Sequence, residues 1–225
     1  MSTGFLKTAK AEDPWLYQRL LDFNHLPTRY LHPSWIPCFC SPATYETLCA
    51  SPRGERKLAA LILKRYQLTA TSYGDFAETF HRLALVDAAD LRRAVLWCGI
   101  AALHDEIAKM VDRRRVMDLV EDLGVDTHRF ALTNARRYGT ATLFARWSGE
   151  GDVAARAWTI GVACLTACFS ERPDSLRRRL RLIFPREGGF DFRKSRIRSL
   201  RPVAADLLTS ILIREVNDQW SRLFK

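Results

Sequence analysis

The sequence predicts an all-α protein, a compact irregular multi-helix bundle with a proline-rich aromatic strap near its N-terminus. Three observations carry this expectation. From Asp75 to Gly124 the chain runs without proline through successive apolar stripes at helical spacing. Ser41-Pro42 and Ser51-Pro52 each read as an N-cap followed by proline at the first helical position, where the missing N–H costs nothing. Pro27, Pro33 and Pro37 interrupt a segment holding Tyr30, Trp35 and Phe39, which forbids a continuous helix there while leaving aromatic surface to bury.

Taken in order, residues 1–13 read as a frayed tail. Asp13 and Pro14 then open a short amphipathic helix with Leu16, Leu20 and Phe23 inward. The strap from Asn24 to Ser41 follows, its rings expected to lie across a helical core. Ser41 and Ser51 start two helices, the second with Leu58, Leu61, Ile62 and Tyr66 inward. Residues 67–74 form a turn-prone link. Asp75 is placed to cap a segment with Phe76, Phe80, Leu83 and Ala84 on one face, and Asp87 another through Leu91, Val95 and Leu96. Asp112 caps a helix carrying Val116, Leu119, Val120 and Leu123, stopped by Gly124. Asp126 caps the next, running to Tyr138. A cluster at 148–152 is the clearest place for a break within what otherwise reads as one mostly helical domain spanning 1–225. Asp152 opens the most apolar helix, Val153 to about Phe169. Pro173 and Asp174 begin another with Leu176, Leu180 and Ile183 inward, and Pro202 opens a closing helix bearing Leu208, Ile211, Leu212, Val216, Trp220 and Leu223.

Length and composition bound the class. A chain of 225 residues, 48% hydrophobic and 27% charged, is that of a soluble globular protein with a real core. No apolar run follows the first ten residues, and the stretch from Ala157 to Phe169 falls short of the roughly 20 residues a membrane span needs, so a cytoplasmic chain is expected. Six scattered cysteines agree with that compartment.

The net charge of +10 is concentrated. Between Arg172 and Arg201 eleven basic residues stand against three acidic ones, a local balance of +8. Arg177, Arg178, Arg179 and Arg181 fall on the outward side or margins of one helix, and Arg193, Lys194, Arg196 and Arg198 in the loop after it. These eight are the candidate partner-binding residues.

Motifs for chemistry are lacking. His25, His32, Cys38, Cys40 and Cys49 contain no CxxC-type pair, and Cys38 and Cys40 point to opposite faces of an extended segment, so no metal ligation is expected. Cys164 and Cys168 share one helix face, which more simply reads as small residues at a close helix approach. No phosphate-binding loop, dinucleotide fingerprint, zinc-protease motif or nucleophile elbow occurs, and no catalytic residue or cofactor is expected.

The strap Phe23-Asn24-His25-Leu26-Pro27 with Arg29-Tyr30-Leu31-His32-Pro33-Ser34-Trp35-Ile36-Pro37, the central Arg82-Leu83-Ala84-Leu85-Val86, Leu91-Arg92-Arg93 with Val95-Leu96, and the closing Ser221-Arg222-Leu223-Phe224-Lys225 resemble the SctK family. These are adaptor proteins of bacterial type III secretion sorting platforms. The resemblance covers most of the chain in order and is weakest from Gly139 to Arg201. It implies a mostly helical, non-enzymatic linker at the cytoplasmic face of the inner membrane. Such a linker joins the cytoplasmic domain of the inner-membrane ring protein to the pod protein, which carries the stator and ATPase.

Two further readings of the basic stretch stand beside an adaptor. Anionic lipid would attract it, at roughly 1 kcal/mol per basic side chain near the surface. A basic all-α nucleic-acid-binding protein is the alternative of a different class, opposed by the lack of aromatic interleaving among Arg193 to Arg201.

Overall fold

The computed structural model describes residues 3–69, 72–169, 173–187 and 199–224, and among them no strand occurs: the fold is all-α. In chain order the helices are α1 (Thr3–Glu12), α2 (Pro14–His25), α3 (Pro42–Cys49), α4 (Pro52–Arg65), α5 (Ala88–Ala102), α6 (His104–Ala108), α7 (Arg113–Leu123), α8 (Val125–Thr133), α9 (Val153–Phe169), α10 (Asp174–Ile183) and α11 (Arg201–Ile211). Short 3-10 turns at Pro27–Arg29, Pro33–Cys38 and Thr79–Leu85 and a longer 3-10 stretch at Ala135–Trp147, kinked at Tyr138, join them.

Local chemistry explains many of the starts. Asp13 accepts from the Leu16 N–H at 3.0 Å, Ser41 from Thr44 at 3.2 Å and Ser51 from Gly54 at 3.0 Å. Asp112 takes the N–H groups of Arg114 and Arg115 at 2.8 and 3.1 Å, and Asp152 that of Ala155 at 2.7 Å. Each satisfies donors that a first helical turn leaves open. Gly124 ends α7 at φ 83°, ψ 157°, a positive-φ extended conformation in place of the expected left-handed helical one.

Three expectations are corrected. Residues 3–12 form α1 instead of a frayed tail, because Phe5 and Ala9, four apart, share a face: Ala9 is buried and the Phe5 ring lies 6.3 Å from Phe76. Asp75 caps nothing. Its carbonyl instead receives the His81 ring at 2.8 Å, and helical structure begins only at Thr79. The helix after Gly124 starts at Val125, with Asp126 inside its first turn paired to Arg129.

The chain forms two compact units. Of the described residues, one comprises 3–69, 72–88, 173–187 and 224, the other 89–169 and 199–223; the turn at 148–152 lies inside the second.

In the first unit the strap lies buried, as its rings predict. Tyr30 stacks on Phe23 with centroids 5.7 Å apart, and Phe76 meets Phe23 and Tyr73 edge-on at 5.9 and 5.0 Å. The strap also serves the open end of α10. The His32 N–H donates to the Leu182 carbonyl at 2.8 Å and the Trp35 indole to the Phe184 carbonyl at 2.8 Å. Buried Asn24 fixes the link after α4 by pairing with both backbone groups of Tyr73, accepting from its N–H at 2.7 Å and donating to its carbonyl at 2.8 Å.

The second unit is built on a crossing of α5 and α9 so close that glycine is required on both. A Cβ on Gly99 would lie 1.7 Å from the Ala157 carbonyl oxygen, and one on Gly161 1.9 Å from that of Val95. Cys98, Cys164 and Cys168 are buried here, in keeping with small residues at a close approach; burial foremost pushes the Cys164 and Cys168 thiols up, away from reactivity. Trp97 stacks on Phe130 at 4.5 Å and donates to the Thr127 hydroxyl at 3.1 Å. After α11 the chain makes one π-helical turn, Leu212–Val216, with the Asn217 N–H reaching back five residues to the Leu212 carbonyl at 2.9 Å. From this turn Glu215 receives the Asn134 amide at 2.6 Å and the Tyr138 hydroxyl at 2.8 Å.

Candidate interaction surface

Helix α10 reads Asp-Ser-Leu-Arg-Arg-Arg-Leu-Arg-Leu-Ile, and its spacing decides which arginines reach solvent. Leu176, Leu180 and Ile183 point inward as expected. Arg179 stands three residues after Leu176 and four before Ile183, so the helical period places it on the same face. It is 1% exposed. This corrects its assignment to an outward patch.

The buried guanidinium is held by carbonyls. Arg179 donates to Leu68 at 3.1 Å, to Asn24 at 3.5 Å and to Ser175 at 3.1 Å. Asn24 lies in the last turn of α2, so the cation meets the negative end of that helix, and Leu68 lies in the link after α4. Among the described residues no carboxylate pairs with it, and its Nε–H has no acceptor. Desolvation lowers its pKa, and the nearby Tyr30 phenol opposes this; the same burial raises Tyr30.

The other three arginines of α10 do reach the surface. Arg177 is ion-paired to Asp174 one turn earlier. Arg178 hydrogen-bonds the Tyr66 carbonyl at 3.4 Å and the Gln67 side-chain oxygen at 3.3 Å, with Asp174 at 3.8 Å. Gln67 takes a left-handed φ of 55° at the end of α4, unusual for a residue with a side chain, and so offers Arg178 that amide beside the Tyr66 carbonyl. Arg181 lies over the Trp35 ring, 5.7 Å from its centroid.

Around them the structure assembles residues that sequence reasoning did not select. Tyr66 is only half-buried and meets Trp35 edge-on at 5.6 Å and Phe39 at 6.1 Å. Arg186 donates to the Cys38 sulfur at 3.1 Å, and its backbone N–H to the Ser34 hydroxyl at 2.9 Å. Desolvation raises the Tyr66 phenol, and Arg186, Arg65 and Arg181 pull it back. Arg186 falls inside the basic stretch, which was the one available signal. Tyr66 had been counted as inward, and nothing local links it to residue 35 or 186. Arg193, Lys194, Arg196 and Arg198 lie outside the described residues.

The surface is therefore a half-exposed aromatic pair, Phe39 and Tyr66, packed on buried Trp35 and rimmed by Arg178, Arg181 and Arg186. It has the composition of a protein-contact patch: aromatic area that an apolar partner surface can cover, and guanidinium groups that hydrogen-bond carboxylates at the edge. It offers no base–nucleophile pair. Among the described residues no three His, Cys, Asp or Glu side chains converge as metal ligands, and no helix is long and apolar enough to cross a membrane.

The model of the family described as YOP proteins translocation protein K (YscK) matches residues 19–225. No curated protein and no solved structure matches.

Proposed function

Because the chain belongs to the YscK (SctK) family of type III secretion proteins, we propose that it is a non-enzymatic adaptor of the secretion sorting platform. In this reading it joins the cytoplasmic domain of the inner-membrane ring protein to the pod protein, and through the pod to the stator and ATPase. It would work at the cytoplasmic face of the inner membrane, where anionic lipid adds a weak attraction for its basic stretch. The observation that carries the reading is the family match over nearly the whole chain. The aromatic cluster rimmed by Arg178, Arg181 and Arg186 supplies one face on which an acidic partner would seat.

Charges at such a rim set encounter rate and specificity more than affinity. Nucleic-acid binding is less well supported, because Arg179 is buried and Arg177 is ion-paired to Asp174, so neither is placed to contact phosphate.

The test is co-purification with the pod protein and with the soluble cytoplasmic domain of the ring protein from the same bacterium, at low and moderate salt. A stoichiometric complex is expected, weakened by Arg178→Glu, Arg181→Glu and Arg186→Glu together. Absence of both complexes, with nucleic acid carried instead and removed by salt, would overturn the adaptor reading.

A further inference from the structure

We infer that two copies of this chain pair through α7, antiparallel across a two-fold axis at Met117. The helix buries only Leu119 against its own unit, leaving Val116, Val120 and Leu123 half-buried and Met117 60% exposed. Val111, six residues before Met117, is 96% exposed, and Val125, eight after it, 60%. Residues Arg113, Met117, Val120 and Glu121 recur at helical spacing on one solvent face. Exposed apolar residues thus stand at the middle of α7, at Met117, and just beyond each of its ends, at Val111 and Val125.

The charges identify the occupant. The first turn of α7 carries Arg113, Arg114 and Arg115 and the second half Asp118, Glu121 and Asp122, with no acid in the first turn and no base in the last. Beyond the Asp112 cap, that order runs against the helix dipole, where acids are favoured first and bases last. A second α7 laid antiparallel reverses the disadvantage, placing its carboxylates beside this helix's N-terminus and its arginines beside the C-terminus. Arg113 lies four residues before Met117 and Glu121 four after, so a two-fold at Met117 faces each arginine with the glutamate of the other copy. Neither side chain is bound to another described residue, so both are available. A partner of one charge sign would meet repulsion at either Arg113 or Glu121; a second copy pairs both.

The 11 residues of α7 span about 16 Å, which is small for an interface and fits a weak, concentration-dependent pair. Sedimentation equilibrium of the full chain from about 10 µM to about 500 µM is expected to show a rise toward twice the chain mass. Arg113→Glu and Glu121→Arg are each expected to weaken association by about tenfold, since each sets like charges opposite one another twice. The two combined restore it, because the swapped pairs remain complementary. Met117→Cys is expected to form a disulfide-linked dimer under mild oxidation that the unsubstituted chain does not form. A monomer at all concentrations would overturn the inference. So would a dimer that the single reversals leave unchanged, or one that the combined variant fails to restore.

Discussion

Trp220 donates its indole N–H to the Asp90 carboxylate at 2.8 Å, bonding the end of the chain to the first turn of α5, 130 residues upstream. The ring is fully buried, and Asn217 adds a second donor to the same oxygen at 3.2 Å. Trp220→Phe keeps most of the packing and loses this hydrogen bond, at about 1 kcal/mol; Trp220→Ala also empties the site, at about 3–5 kcal/mol. Chemical denaturation of both variants checks the order, and a Trp220→Phe variant as stable as the parent would show that the bond contributes nothing measurable.

Arg179 and Arg178 are neighbours with opposite fates. Arg179→Ala abandons three carbonyls, those of Asn24 and Leu68 in buried bonds, and is expected to cost about 3 kcal/mol; Arg179→Lys, with one compact ammonium, recovers only part. Arg178→Ala is expected to change stability by less than about 0.5 kcal/mol. Thermal melts of the three variants separate the latch from the face beside it.

Gly99→Ala and Gly161→Ala place a methyl group inside van der Waals contact of backbone oxygen on the opposing helix. Neither oxygen belongs to a flexible side chain, so α5 and α9 must separate. A loss above about 3 kcal/mol, or failure to fold, is expected for each. Far-UV dichroism and soluble yield would read this, and a variant as stable as the parent would contradict so close a crossing.

Hydrogen bonding from Arg29 foremost, with Thr28 and the arginine's charge assisting, holds the Glu55 carboxyl below the ordinary glutamate range against partial desolvation. A carboxylate depressed on folding stabilises the protein above its unfolded value, about 4.3, and that contribution is lost as pH falls through the lower folded one. Glu55→Gln should therefore flatten the acid limb of the stability profile while changing little near neutrality beyond the ion pair itself. The effect is at most about 1 kcal/mol, because Arg29 is 47% exposed. Urea titrations across the acid range would detect it.

What was legible in the sequence follows from how far each feature's partners lie along the chain. Asp13, Ser41, Ser51, Asp112 and Asp152 bond within three residues of themselves, and all five cap as their residue type and position require. Asp75 has the same local credentials and fails, because Asn24 clamps Tyr73 from 49 residues away and the His81 ring takes the Asp75 carbonyl. The strap's rings were legible as buried, but not their fixing to the end of α10, which needs carbonyls at 182 and 184. Arg179 misled for the opposite reason. Its spacing placed it inward, yet a guanidinium is not expected there until carbonyls from residues 24 and 68 are known to converge on it. Tyr66 and Arg186 join the aromatic face only through tertiary proximity.

The π turn at Leu212–Val216 marks the one place where the end of α11 can lose a residue and keep its position. A π turn holds one residue beyond what an α-helix of the same rise would use. Removing that residue would let α11 run on as ordinary helix, with the chain after it held where it was and Trp220 still within reach of Asp90. The same deletion within Arg201–Ile211 would turn everything downstream by about 100° about the helix axis and draw it back by about 1.5 Å. Glu215 would then swing off Asn134 and Tyr138, and Trp220 would miss Asp90, although none of these five side chains had changed. For this tail, where a codon is lost matters more than which residue it encoded.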